Sequence, residues 1–142
     1  MIEVRAATDI DAPPAAVWRV LTDLPRFAKW NPFIREASGT PEVGGTIRVR
    51  VQPSLRIPLA FRAKVTVRDD HELRWEGHVL ARWLAAGDHV FEITPLPGGR
   101  SRFVQIERFT GILPRLAKRL LAVEAKRGFD AMNAALAKEA AA

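Results

Sequence analysis

The sequence contains no cysteine and no tyrosine. The first absence excludes disulfides, thiol nucleophiles and thiolate metal sites, and it fits a reducing cytosol. The second removes a phenol often useful for enolate chemistry. Histidine is scarce: His71, His78 and His89 fall on a turn, an outward strand position and an inward one, so no shared metal site is expected. Paired glycines occur only as Gly44-Gly45 and Gly98-Gly99, both in hairpin-turn contexts rather than in a phosphate-cradling loop. No apolar run approaches the roughly 18 residues of a membrane-spanning helix. The opening MIEVRAATDIDAPP alternates with acidic positions, unlike the basic-then-apolar plan of a secretory leader. These absences point to a cytoplasmic protein without metal, nucleotide or other cofactor, and without stable membrane insertion.

What is present suits one globular domain over residues 1–142, with 48% apolar and 27% charged residues. The net charge of +6 would favour an anionic partner if its residues were clustered. Instead Arg48, Arg50, Arg62, Lys64, Arg68 and Arg74 fall on outward positions of alternating strands, interleaved with Glu72 and Glu76. No exposed aromatic ladder accompanies them, so a solvated sheet face is expected and a nucleic-acid partner is not.

Residues Met1–Ile10 alternate as a half-buried strand. In DAPPAAVWRVLTDL, Asp11 is expected to cap a helix that opens with prolines and carries Val17, Val20, Leu21 and Leu24 as its apolar stripe. PRFAKW predicts a second short helix, stopped at Asn31 because the residue before a proline is pushed out of the helical region. Strands are expected at Phe33–Ser38, Thr46–Gln52, Leu59–Arg68 and along Leu73, Trp75, Gly77 and Val79, joined by turns in an antiparallel meander. The last thirty residues change period. A single helix opened by Pro114 is expected, with Leu116, Leu120 and Val123 forming a stripe continued by Phe129, Met132 and Leu136.

The stretch GDHVFEITPLPGGRSRFVQIERF gives the most specific expectation. A turn at Pro97-Gly98-Gly99 pairs Leu96 with Arg100, Ile93 with Phe103, Phe91 with Gln105, and His89 with Glu107. One face of that hairpin is then mostly aromatic and aliphatic, yet it carries His89, Gln105 and Glu107. Cross-strand, His89 and Glu107 lie close enough to hydrogen-bond. In one reading they form the polar end of a ligand site, Glu107 raising the His89 pKa and leaving the other ring nitrogen for a ligand carbonyl or hydroxyl. In the other they satisfy one another inside an apolar core.

The whole chain, and above all IDAPPAAVWRVLTDLPRFAKWNPFI, LRWEG, DHVFEI, RFVQIERFTG and RGFDAMNAAL, closely resembles the START-like or SRPBCC superfamily. Within it, the resemblance is to the small bacterial polyketide cyclase/dehydrase-like proteins. It implies an α+β helix-grip fold: two short helices after strand 1, and a curved seven-stranded antiparallel sheet around a long C-terminal helix, with a cavity between. Members of the superfamily bind lipids, sterols, polyketides, quinones and hormones, and some act as cyclases or chaperone co-factors. A fold with so many uses does not choose among them.

Alternation turns Trp75, Phe61, Phe91, Gln105 and Phe109 toward that cavity, and Phe129 and Met132 join them from the helix; Trp30 and Trp75 are either walls for stacking a ligand or large aromatics of the core. Trp83 and Leu84, with Leu55, Ile57 and Leu113, either rim its mouth and gate it, or touch a membrane or partner, or belong to a loop that folds back on the helix. Three functions remain open. One is binding of a small hydrophobic ligand. Another is a polyketide cyclase or dehydratase using His89 and Glu107 in proton transfer. The third is an interaction module working through the Trp83 rim, as in the chaperone co-factors.

Overall fold

The structure, a computed structural model, describes residues 1–52 and 58–142, so the expected rim residues Leu55 and Ile57 lie outside the described residues. Strict alternation makes β1 (Ile2–Ile10), which buries Ile2, Val4, Ala6 and Ile10 and exposes the charges between them. α1 (Pro14–Thr22) follows, preset by Pro13 and Pro14. Asp11 does not cap it: the cap residue is Pro13, which has no side-chain oxygen, and Asp11 is exposed 3.8 Å from Arg100. Val17, Trp18 and Leu21 bury the inner face of α1, and Leu24 joins them from a 3₁₀ turn at Leu24–Arg26.

α2 (Phe27–Trp30) ends at Asn31, as the following proline requires. The Asn31 side chain then does what its backbone cannot. Its Oδ1 accepts hydrogen bonds from the Phe33 and Ile34 amides, both at 2.9 Å, and so turns the chain into the sheet.

Six strands follow: β2 (Ile34–Gly39), β3 (Thr46–Val51), β4 (Leu59–Arg68), β5 (Glu72–His78), β6 (Ala86–Leu96) and β7 (Arg100–Thr110). They form a meander, and β1 closes against β7, giving the antiparallel order β1-β7-β6-β5-β4-β3-β2. The β6–β7 register is the expected one, with Leu96 opposite Arg100, Ile93 opposite Phe103, Phe91 opposite Gln105 and His89 opposite Glu107. Gly98 and Gly99 hold φ of +81° and +71°, a backbone that side-chain-bearing residues rarely adopt, which is why this turn needs them. On the outer face Arg50 pairs with Glu36 at 2.8 Å and Arg102 with Asp9 at 2.9 Å, while Arg68 stacks on the Trp18 ring at 4.4 Å.

The C-terminal segment departs from expectation twice. It is two helices, α3 (Ile112–Leu116) and α4 (Lys118–Ala141), broken at Ala117, whose φ of −107° leaves the helical region. Its buried face is Ala125, Phe129, Met132, Asn133 and Leu136. Leu116, Leu120 and Val123 stand 80%, 51% and 53% exposed, not buried as a stripe. The reason is angular: at about 100° per residue, the nine positions from Leu120 to Phe129 carry the side chain to the opposite side of the helix. α4 packs across β1 and against α1, inside the curled sheet. This is the α+β helix-grip arrangement.

Gly128 is explained by its neighbour. A Cβ there would lie 2.2 Å from Phe33 Cδ1, and the Phe33 ring packs edge-on against Phe129 with centroids 5.6 Å apart.

Candidate functional site

Two adjoining chambers separate the sheet from the C-terminal helices. The outer one, about 240 Å³, is bounded by Val79, Ala86 and Gly87 of the sheet and by Leu113, Ala117 and Leu121 of α3 and α4. The inner one, about 120 Å³, reaches Val49, His89 and Phe129. Leu59, Phe61, Trp75, Glu107, Phe109 and Leu121 belong to the walls of both. Nearly all of this surface is apolar, which suits an apolar occupant oriented by few polar groups.

Glu107 is the polar group common to both chambers. Its carboxyl leans over Gly87, two residues before its cross-strand partner His89, and the missing side chain matters: a Cβ at Gly87 would stand 2.6 Å from Glu107 Oε1. The strand therefore gives up a side chain to make room for the carboxyl.

A hydrogen-bond chain runs from Glu107 into the core. Gln105 Nε2 donates to Asn133 Oδ1 at 2.7 Å, so Gln105 turns its oxygen toward His89 Nε2, 2.9 Å away. That oxygen can only accept, which puts a proton on His89 Nε2 and, with the imidazole held neutral by burial, leaves Nδ1 as a lone pair. Glu107 Oε2 lies 3.3 Å from Nδ1. Two lone pairs cannot share a hydrogen bond, so the proton between them belongs to Glu107, which is a neutral acid here.

Burial explains the same assignment energetically. The charged forms lose hydration that nothing restores. His89 is held down to about 4 by desolvation, against the opposing effect of the hydrogen bond it donates to Gln105. Glu107 is pushed well above the ordinary carboxylate range by desolvation and then by the nearby Asp88 charge. Phe91 stacks on the His89 ring at 4.2 Å, with Phe129 at 5.2 Å and Trp75 at 5.7 Å, so three aromatic rings close off water. The expectation that Glu107 raises the His89 pKa is thus reversed: at this depth desolvation outweighs attraction and favours the neutral form of both groups.

The expected division of labour also changes. Both nitrogens of His89 face protein partners, so neither is spare for a ligand. Glu107 Oε2, at a long 3.3 Å and with no closer partner among the described residues, is the donor left under-satisfied beside the chambers.

Among the expected site residues, Phe61, Trp75, Phe109, Phe129, His89 and Glu107 line a chamber, as does Leu113 at the rim. Phe91, Gln105 and Met132 are fully buried behind the walls, where they hold the lining in place. Trp30 is a wall of neither chamber; it packs edge-on against Phe27 at 5.2 Å and against the hydrophobic core. Trp83 is 67% exposed and lines a separate surface groove with Ile112 and Arg115, while the Leu84 carbonyl accepts the Leu113 amide at 2.9 Å.

Asn133, Glu124, Leu121 and Ala117 are among the site residues that sequence reasoning missed. Asn133 ends the polar chain with its Nδ2 buried and unpaired, and Glu124 stands in the inner chamber wall. An inward position every third or fourth residue from Phe129 would have found Asn133. Among the described residues, no group of three or more histidines and carboxylates converges as a metal site.

Comparison with known proteins agrees with this architecture. The family described as polyketide cyclase / dehydrase and lipid transport matches residues 1–141, and the chain belongs to it. Its fold is similar to that of the ZhuI aromatase/cyclase from Streptomyces sp. R1128, with a TM-score of 0.80 at 17% identity over 97% of this chain and 92% of that one. It is also similar to a START superfamily protein from Mycobacterium smegmatis, with a TM-score of 0.79 at 14% identity over 97% and 96%. The protein TTHA0849 from Thermus thermophilus gives 0.78 at 17% identity over 97% and 96%. No curated protein matches by sequence.

Proposed function

We propose that this protein binds a small hydrophobic molecule, of lipid, polyketide or aromatic-metabolite type, in the chambers between the sheet and the C-terminal helices. One observation carries the reading: an apolar cavity whose two halves meet at a single buried, neutral carboxyl, Glu107, with an under-satisfied O–H. That group suits a ligand carbonyl or hydroxyl oxygen. It disfavours a ligand ammonium, which would need a carboxylate, and the low polarity of the walls disfavours nucleotides. The family's description and the aromatase/cyclase neighbour support the same ligand class. A cytoplasmic setting belongs to this reading, supported by the absence of cysteine; among the described residues no helix is long and apolar enough to cross a membrane.

Native mass spectrometry of freshly purified protein, followed by solvent extraction, tests it. The expected result is a stoichiometric apolar adduct bearing an oxygen function, with weaker retention in Glu107→Leu. A bare protein that also takes up no fatty acid, quinone or aromatic polyketide on titration overturns the reading.

A second reading, a cyclase or dehydratase, is favoured by the contact between Glu107 and His89. A neutral acid can lend its proton to a developing enolate oxygen and recover it, with His89 Nδ1 as the nearby acceptor. Turnover of a polyketide-like substrate that Glu107→Gln abolishes without weakening binding would support it; unchanged turnover in that variant would remove it.

A further inference from the structure

We propose that the protein docks on an anionic lipid bilayer through an exposed apolar face built from the β5–β6 loop, α3 and the first turns of α4. Leu80, Trp83 and Leu116 stand 85%, 67% and 80% exposed, and Leu120 and Val123 extend the same apolar surface along α4. Large exposed apolar patches mark contact with something outside the chain.

The face is constructed rather than frayed. The Ile112 amide donates to the Trp83 carbonyl at 3.0 Å and the Leu113 amide to the Leu84 carbonyl at 2.9 Å, so loop and helix form one surface. Leu80 holds φ of +64°, a left-handed conformation that costs a leucine about 1 kcal/mol or more, and yet its side chain faces solvent. The turn is held by the Val79 amide on the Ala85 carbonyl at 2.9 Å and the Ala81 amide on the Val79 carbonyl at 2.8 Å, so the exposed side chain is fixed in place.

Charge selects the occupant. Residues 80–85 and 112–123 carry Arg82, Arg115, Lys118 and Arg119 and no acidic residue. A second copy seated on this face would set these cations against their own kind. An anionic bilayer matches them: the indole sits at the interface, the leucines enter the acyl boundary, and the long basic side chains reach back to lipid phosphates. Leu113, Ala117 and Leu121 of the same segment wall the outer chamber, so docking sets the cavity against the membrane. Docking stands by itself; passage of ligand between bilayer and chamber rests on the proposed ligand-binding function.

Sedimentation with vesicles of phosphatidylcholine, with and without phosphatidylglycerol, tests the proposal. The full chain should bind the anionic vesicles and not the neutral ones, and salt should release it. Neutralising Arg115, Lys118 and Arg119 to Gln should weaken binding roughly a hundredfold, and Leu116→Ser with Leu120→Ser about tenfold or more. Quenching of tryptophan emission by brominated acyl chains should vanish in Trp83→Phe. Failure to bind either vesicle, equal binding to both, or a solution dimer that buries Trp83 would each overturn it. None of these variants touches the chambers, so adduct retention by native mass spectrometry reports separately on ligand binding.

Discussion

Glu107 and His89 hold one proton between them, and where it resides decides what the site can do. Glu107→Gln exchanges a neutral acid for a neutral amide of similar shape and spares the folded state the proton that Glu107 must take up above its ordinary 4.5. Urea denaturation at neutral pH should therefore show the variant at least as stable as the wild type, ahead by up to about 1.4 kcal/mol for each pH unit above 4.5 over which Glu107 stays protonated. A buried ion pair losing one partner would instead cost about 3–5 kcal/mol. The pH dependence follows with its sign. Between the ordinary values of 4.5 for glutamate and 6.5 for histidine, the unfolded pair is Glu⁻ and His⁺, and the folded pair is GluH and neutral His. Each state holds one proton, so the pair adds no slope in that window. Without the carboxyl, His89 acts alone. Its folded value, lowered to about 4 from 6.5, makes the unfolded state the better proton binder, so Glu107→Gln should lose stability as pH falls from 6.5 toward 4. The wild type should therefore gain on the variant by about 1.4 kcal/mol per pH unit on acidification. Parallel curves would show that the proton is elsewhere.

At the scale of elements, α4 offers a test in which local propensity and packing disagree. Helix propensity says Gly128→Ala should stabilise by about 1 kcal/mol. The added Cβ would meet the Phe33 ring at 2.2 Å, and overpacking of this kind costs about 1–3 kcal/mol. Urea denaturation of Gly128→Ala should show a net loss, and a gain would mean the ring yields freely. The same helix separates two leucines: Leu136→Ala should cost about 2–5 kcal/mol, while Leu120→Ser should stay within about 0.5 kcal/mol. The contrast shows what the sequence makes legible. The β6–β7 register could be read residue by residue, because a period of two admits only two faces and a short glycine turn fixes the pairing. A helix with apolar side chains on opposite sides has no such constraint, and the leucines at 116 and 120 outvoted the alanine at 125 that the core contains. Asn133 escaped for a related reason: a polar residue on an amphipathic helix reads as surface until the helix is seen facing Gln105. The direction of the Glu107 and His89 shifts was hidden because it depends on burial depth, which pairing alone does not give.

For the whole molecule, the sheet, the broken C-terminal segment and the polar chain have one joint consequence, an apolar cavity closed on one side by a helix whose outer face is also apolar. The central claim is that ligands enter between sheet and helix, not onto the exposed face. Leu120 and Leu121 are neighbours in sequence, yet Leu121 walls both chambers and Leu120 points to solvent. Titration of Nile red fluorescence into the wild type, Leu121→Trp and Leu120→Ser compares the two locations directly. The account predicts that Leu121→Trp, by filling the chambers, abolishes the saturable blue-shifted signal, whereas Leu120→Ser leaves it intact. Loss of signal in Leu120→Ser with retention in Leu121→Trp would contradict it.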